Sequence, residues 1–313
     1  MATFQAALNQ TAFLLTFIAL GYLLVKGKHL PDAATGVLSR LENCVFVPAL
    51  VLETFLKNFR PERLSSAWEL LCQSLLLALC AMALSVLCVR LCTKNPYHRN
   101  LYLYGLCFSN FGFMGNAVVN ALFPEIFLEY ILFTLPLWTL IYLWGVPVLL
   151  MGDSGKEISF SDRLKNFRNP MFSAMVIGMV LGLTAIPVPG FLRSAVSAAG
   201  SCMSPIAMLL TGMTVARYDL KTILSVKSLY SVTALRLVVY PLVFLGVLAV
   251  WPLPRVFALC ALCSLAMPLG LNTIIIPSAQ GKDTSVAAGM ALVSHVLSCL
   301  TIPVIFLLLE SVL

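Results

Sequence analysis

The sequence predicts an all-α polytopic membrane protein of ten transmembrane helices, arranged as two inverted five-helix repeats. Three observations lead there. The 313 residues are 60% hydrophobic and only 11% charged, far from the composition of a water-soluble domain. The apolar residues gather in ten runs, each close to the roughly 20 residues that cross a bilayer as a helix. Landmark residues then recur at nearly constant spacing. Gly21 and Gly178, like Pro48 and Pro205, are 157 residues apart; Asn116 and Asn272, like Pro147 and Pro303, are 156 apart. Five spans per half is an odd number, so the halves enter the membrane from opposite sides and the repeat is inverted.

The runs cover residues 6–25, 33–56, 66–90, 100–122 and 127–150 in the first half. In the second half they cover 170–187, 191–215, 228–250, 255–279 and 284–309. This divides the chain into a first repeat (1–150), a polar cytoplasmic linker (151–169) and a second repeat (170–313), with loops too short for a separate soluble domain. Ten spans put both termini on one side. Of the 20 Lys and Arg residues, fourteen follow spans 1, 3, 5, 7 and 9, five lie on the opposite side, and Arg236 is inside a span. The positive-inside rule places the first set in the cytoplasm and both termini outside. The cations are scattered over helix ends, which argues against a nucleic-acid partner. The first run has no basic residue before it and Lys26 and Lys28 after it, the reverse of a signal peptide, so it reads as a retained helix.

Ten cysteines, most of them within spans (Cys72, Cys80 and Cys88 among them), read as small apolar residues. The Cys260–Cys263 CxxC is a weak pattern in an apolar helix, so no metal and no cofactor is expected. With no HExxH and no close pair of intramembrane aspartates, an enzyme is not expected either.

Runs 4 and 9 carry the strongest local signal. Run 4 reads LYLYGLCFSNFGFMGNAVVNALFP and places Asn110, Gly112, Gly115 and Asn116 at mid-depth. Run 9 reads LCSLAMPLGLNTIIIPSAQ and places Pro268, Gly270, Asn272 and Thr273 there. Proline removes a backbone donor and clashes with the preceding turn, while glycine permits an unwound backbone. Carbonyls and amides freed at such a break cannot face lipid, so they line a cavity or find side-chain partners. A broken helix also offers a half-helix N-terminus that attracts anions and a C-terminus that attracts cations. The plainer alternative is two kinked helices whose amides bond across a helix interface.

The stretches SNFGFMGNAVVNALFP, SPIAMLLTGM (204–213), MPLGLNTIIIPSAQ (267–280) and NPMFSAMVIGMVLGL (169–183) resemble the auxin efflux carrier family. That family includes bacterial organic-acid carriers and the plant PIN auxin exporters. The resemblance implies crossed, interrupted helices 4 and 9, as in bile-acid symporters and sodium/proton antiporters. It also implies a scaffold of helices 1, 2, 6 and 7, a mobile unit of helices 3–5 and 8–10, and a homodimer through the scaffold. The first break departs from the plant pattern by using Gly112 and Gly115 in place of proline. Function follows as an expectation: a secondary active carrier of the bacterial inner membrane, moving a small organic anion by elevator-type alternating access. The resemblance suggests a mono- or dicarboxylate such as malonate or malate. Asn110, Gly112, Gly115, Asn116, Pro268, Gly270, Asn272 and Thr273 form the expected binding centre.

Ionisable groups inside spans are costly and often functional. His295, in run 10, could carry a proton or sit neutral against a neighbouring carbonyl or against Ser294 or Ser298. Arg236 could neutralise a substrate carboxylate, snorkel to the cytoplasmic surface or pair with an acid. Glu53 could be a protonatable gate or an i,i+4 partner of Lys57. Glu42 and Arg40 read as structural groups nearer the inner surface. Neither break contains Asp or Glu, which favours a proton-coupled or uncoupled carrier. A sodium-coupled symporter and an anion channel stay open as alternatives.

Overall fold

The computed structural model describes residues 2–31, 33–151, 170–251 and 253–312, so the linker expected at 151–169 lies almost wholly outside the described residues. Among these residues every regular element is helical, and the one β-type pairing is an isolated bridge. Seven helices are long and apolar enough to cross a membrane: α1 (Phe4–Lys26), α2 (Ala33–Asn58), α3 (Trp68–Cys92), α5 (Pro124–Leu150), α7 (Gly190–Ala216), α8 (Lys227–Val250) and α10 (Ser285–Leu309). The other three predicted runs are shorter or broken. Run 6 is α6 (Pro170–Thr184). Run 4 is a pair of half-helices, α4a (Pro96–Cys107) and α4b (Phe111–Leu122). Run 9 is likewise split into α9a (Arg255–Leu265) and α9b (Asn272–Ala279).

Small residues decide how the long helices pack. Gly21 of α1 lies against the Leu209 carbonyl of α7, and Gly212 of α7 against the Ile18 carbonyl of α1. A Cβ at either position overlaps backbone, so these helices meet main chain to main chain. Gly178 and Gly182 of α6 do the same against Leu52, Phe55 and Phe59 of α2. The paired glycines therefore perform equivalent tasks in the two halves.

The paired prolines do not. Pro48 follows a π-helical turn at Glu42–Phe46, and Pro147 lies within another at Ile141–Leu150, whereas Pro205 and Pro303 sit inside α-helix. A π turn inserts a residue into the helix. In α2 this resets the buried stripe: Thr35, Ser39 and Glu42 are buried at steps of four and three, and the next buried positions are Val47 and Val51. The outward faces are apolar, with Leu87 and Leu91 of α3 at 67% and 89% exposed, as suits a lipid rather than an aqueous surround.

Candidate functional site

The site begins with two interruptions that complete each other. Asn95 caps α4a by accepting from the Tyr97 and His98 N–H groups, and Pro96 follows at the first helical position, where its missing donor costs nothing. The helix stops at Cys107, and Phe108 and Ser109 run on outside it. Helix α9a stops at Leu265, and Met267 to Gly270 run on in the same way. The two strips cross. The Asn110 N–H donates to the Pro268 carbonyl at 2.8 Å, and Ser109 and Leu269 form an antiparallel bridge. The Ser109 hydroxyl donates to the Ser264 carbonyl at 2.7 Å. Each break thereby supplies polar partners for the other, in a region where water and lipid offer none.

The glycines of run 4 are not the break itself. The interruption lies at Phe108–Asn110, and Gly112 and Gly115 sit in the π turn Phe111–Gly115 that opens α4b. Their role is space, because a Cβ on Gly112 strikes the Trp138 ring and one on Gly115 strikes the Tyr130 hydroxyl. Gly270 does lie in its break, where its backbone closes against the Phe108 carbonyl.

The asparagines are wired differently from one another. Asn110 is 1% exposed, and its Nδ2 is 2.8 Å from His295 Nε2. His295 Nδ1 is 2.8 Å from the Ala291 carbonyl, which can only accept, so Nδ1 carries the proton and Nε2 accepts from Asn110. Both ring nitrogens of His295 are thus engaged by a neutral imidazole. Asn272, the first residue of α9b, donates from Nδ2 to the Tyr104 hydroxyl at 2.8 Å. The carboxamide oxygens of Asn110, Asn116 and Asn272 are all buried without a hydrogen-bond partner. The Thr273 hydroxyl is committed locally, donating to the Gly270 carbonyl at 2.8 Å. A cavity of about 10 Å³ lies against the crossing, lined by Tyr104, Ser109, Gly112, Trp138, Gly270 and Asn272 among others. That is room for one water and not for a carboxylate ion. Asn110, Gly115, Asn116, Pro268 and Thr273 do not line it.

Arg236 has a role that the sequence reading did not contain. It is 2% exposed and meets no carboxylate among the described residues, so neither snorkelling nor an acid partner applies there. Its guanidinium donates to three carbonyls: Leu106 at 3.0 Å, Ser264 at 2.8 Å and Met267 at 3.2 Å. These carbonyls end α4a and α9a, where the two helix dipoles are negative. One cation therefore caps both half-helices and pins the crossing from below, with the Tyr240 ring 5.6 Å away. The residue lies in a π turn of α8, Leu235–Val239.

Of the remaining charges, Glu53 pairs with Lys57 one turn on. Arg40 is exposed, as expected of a residue near a surface, but Glu42 is not: it is 0% exposed, and neither carboxyl oxygen has a partner. Two further groups went unrecognised in the sequence. Tyr104 and Ser109 complete the polar surface of the crossing, and only the neighbourhood of Asn110 could have drawn attention to them. Cys260 and Cys263 are fully buried in the packing of α9a.

A family model described as membrane transport protein matches residues 6–159 and 154–306, nearly the whole chain. The chain belongs to this membrane transport protein family, that of the auxin efflux carriers. No curated protein matches it. Family membership makes the chain a membrane transporter and an integral membrane protein.

Proposed function

We propose that this transporter is a secondary active carrier for a small organic anion, with its substrate centre at the crossing of the broken helices. The observation that carries the reading is the pairing of two interrupted helices beside asparagine side chains with unused hydrogen-bonding capacity. Discontinuous helices meeting at mid-membrane are where carriers bind, because half-helix ends and free backbone provide polarity that lipid forbids elsewhere. The start of α9b at Asn272 offers the positive end of a helix dipole to a carboxylate. Turning the Asn272 carboxamide lets Tyr104 donate to its oxygen and frees the NH₂ for the anion. The water-sized cavity makes this conformation a closed one, so the substrate enters only after movement.

Ten spans in two inverted five-helix repeats accommodate the described helices if α4a/α4b and α9a/α9b each count as one span. Close backbone packing of α1 on α7 and of α6 on α2 suits a rigid scaffold, against which helices 3–5 and 8–10 slide as an elevator. A homodimer through that scaffold, a bacterial inner-membrane location and termini facing outward complete the reading.

The half-helix C-termini, which hold sodium in many crossed-helix carriers, here receive the Arg236 guanidinium, which favours proton-coupled or uncoupled transport. The second reading, sodium-coupled symport, draws on the three unpartnered carboxamide oxygens, since sodium prefers oxygen ligands. Counterflow of labelled malonate and malate in proteoliposomes at varied pH and sodium separates the readings. Saturable counterflow is expected, with flux in Asn272→Ala and Asn116→Ala reduced by about tenfold or more at unchanged protein yield. Unchanged flux in both variants overturns the site, flux that requires sodium and ignores pH selects the second reading, and unsaturable flux without counterflow selects a channel.

A further inference from the structure

We infer that Glu42 is a proton-binding site whose occupancy governs the contact between α2 and α9b. The inference rests on the carrier reading above for its place in a transport cycle, and on geometry for the site itself. Glu42 opens the π turn of α2, about 14 Å along this membrane-spanning helix from Ala33. The turn packs against α7, α6 and α9b. The side chain is 0% exposed, and both carboxyl oxygens lack any hydrogen-bond partner.

A carboxylate in such a place is not stable. Burying an ionised carboxylate without a partner costs far more than a folded protein can offset, and the group protonates instead. Among the described residues, the elements packed against the turn supply no counter-charge. Helices α6 and α9b carry no titratable side chain among their described residues. Helix α7 carries Arg193 and Cys202, both exposed. On α2 itself Arg40 and Cys44 are exposed, and Glu53 is engaged by Lys57 three turns away. The neutral acid is therefore the species that fits the closed contact.

The same face of α2 is polar over two turns. Ser39 and Thr35 are buried one and two turns before Glu42, and the Ser39 hydroxyl donates to the Ile275 carbonyl of α9b at 2.6 Å. The Thr35 hydroxyl and the Asn43 carboxamide oxygen are, like Glu42, without partners. Helix α9b begins at Asn272, so the carboxyl borders the half-helix that carries the candidate substrate ligand. A buried polar stripe with unmet hydrogen bonds is explained if water reaches it in another conformation.

The cycle follows. When α9b moves away from α2, water enters, the Glu42 O–H bond breaks, and the proton leaves to that water. The carboxylate so formed is hydrated and opposes return of α9b. A proton taken from water on the side then open restores the neutral acid, and α9b can pack against α2 again. Every closed passage, loaded or empty, needs the neutral acid, so proton occupancy of Glu42 gates closure without fixing a ratio of protons to anions.

The test uses the purified full-length protein and the isosteric Glu42→Gln, which keeps the shape of the neutral acid. Infrared spectra of membrane-reconstituted wild type at neutral pH are expected to show the C=O stretch of a protonated carboxylic acid, and Glu42→Gln is expected to lose it. In proteoliposomes with equal pH on both sides, counterflow of labelled malonate or malate by wild type is expected to slow as pH rises. Glu42→Gln should keep counterflow and lose that pH dependence. A protonated-acid band unchanged in Glu42→Gln overturns the site. Loss of the band with the pH dependence of counterflow intact overturns its gating role. If wild type moves neither acid under any gradient, the organic-anion reading has failed. The infrared comparison then still decides for or against the proton site.

Discussion

Among the described residues, one acid and one base are buried on π turns of this transporter, and their surroundings are opposites. Arg236 reaches three carbonyls that end two half-helices, so its charge, donors and position are all answered. Glu42, on α2 where it packs against α9b, has no hydrogen-bond partner among the described residues. The crossing that Arg236 clamps is tight, with the Trp138 ring and the Tyr130 hydroxyl filling the space beside Gly112 and Gly115. The polar stripe that ends at Glu42 is under-bonded, with unpartnered groups on Thr35 and Asn43. A charge that is answered holds two elements together, whereas an acid left unanswered does not. On the carrier and proton-site proposals above, the crossing moves as one body and the boundary between α2 and α9b is where motion occurs.

The largest test of this contrast is Arg236→Met. Methionine fills similar apolar space but takes the Arg236 donors from the Leu106 and Met267 carbonyls and leaves the Ser264 carbonyl with only the Ser109 hydroxyl. Each buried group left unsatisfied costs about 1–3 kcal/mol. Thermal melting in detergent should show the variant strongly destabilised or unrecoverable. Arg236→Lys should be only partly better, because one ammonium cannot reproduce a fork that spans three acceptors. Wild-type melting in Arg236→Met refutes the clamp.

Glycine substitutions compare packing in the two regions directly. Gly112→Ala drives a methyl into the Trp138 ring, and overpacking of that kind costs about 1–3 kcal/mol. Gly36→Ala, on α2 beside the polar stripe, meets nothing within 4 Å and replaces a poor helix former with the best one. It should stabilise the protein by up to about 1 kcal/mol. Melting temperatures that fall for Gly112→Ala and rise or hold for Gly36→Ala sharpen the contrast, and equal losses erase it.

How much of this was legible in the sequence depended on whether the signal was local. Apolar runs, the family resemblance and the interruption of runs 4 and 9 all rest on composition and on Gly and Pro within a few residues, and each could be read directly. The placement of the first break could not, because Gly112 and Gly115 looked like breakers when their task is to make room for Trp138 and Tyr130. Arg236 was legible as a costly charge but not as a clamp, since its acceptors are backbone carbonyls of segments some 30 and 130 residues away. Glu42 was read with Arg40 as a structural group nearer the inner surface, and its complete burial becomes visible only in the packing of α7 and α9b over its face. Peptide carbonyls and burial between distant helices leave no mark in a single chain's residue types.

A third region separates burial from charge. Asp283 lies between α9b and α10 and is exposed, so it should behave as neither Arg236 nor Glu42 does. Partial burial acts to raise its carboxyl, but hydrogen bonds from the Ser285 N–H and hydroxyl, then Tyr218 and the nearby His98, outweigh it and hold the group below the ordinary carboxylate value. Its backbone carbonyl also accepts from the Tyr97 hydroxyl at 2.6 Å, tying the loop to α4a. A carboxyl lowered by folding stabilises fully above its unfolded pKa, and that contribution is lost as pH falls through the folded value. Asp283→Ala should therefore cost on the order of 1 kcal/mol near neutral pH. In acid the gap to wild type should close, because both then lack the charge. The sign is opposite to that expected of Glu42, whose neutral form fits the fold, so Glu42→Gln should gain on wild type as pH rises. Melting curves of the two variants across pH should diverge in opposite directions, and parallel curves would remove the distinction between an exposed, hydrogen-bonded carboxylate and a buried acid.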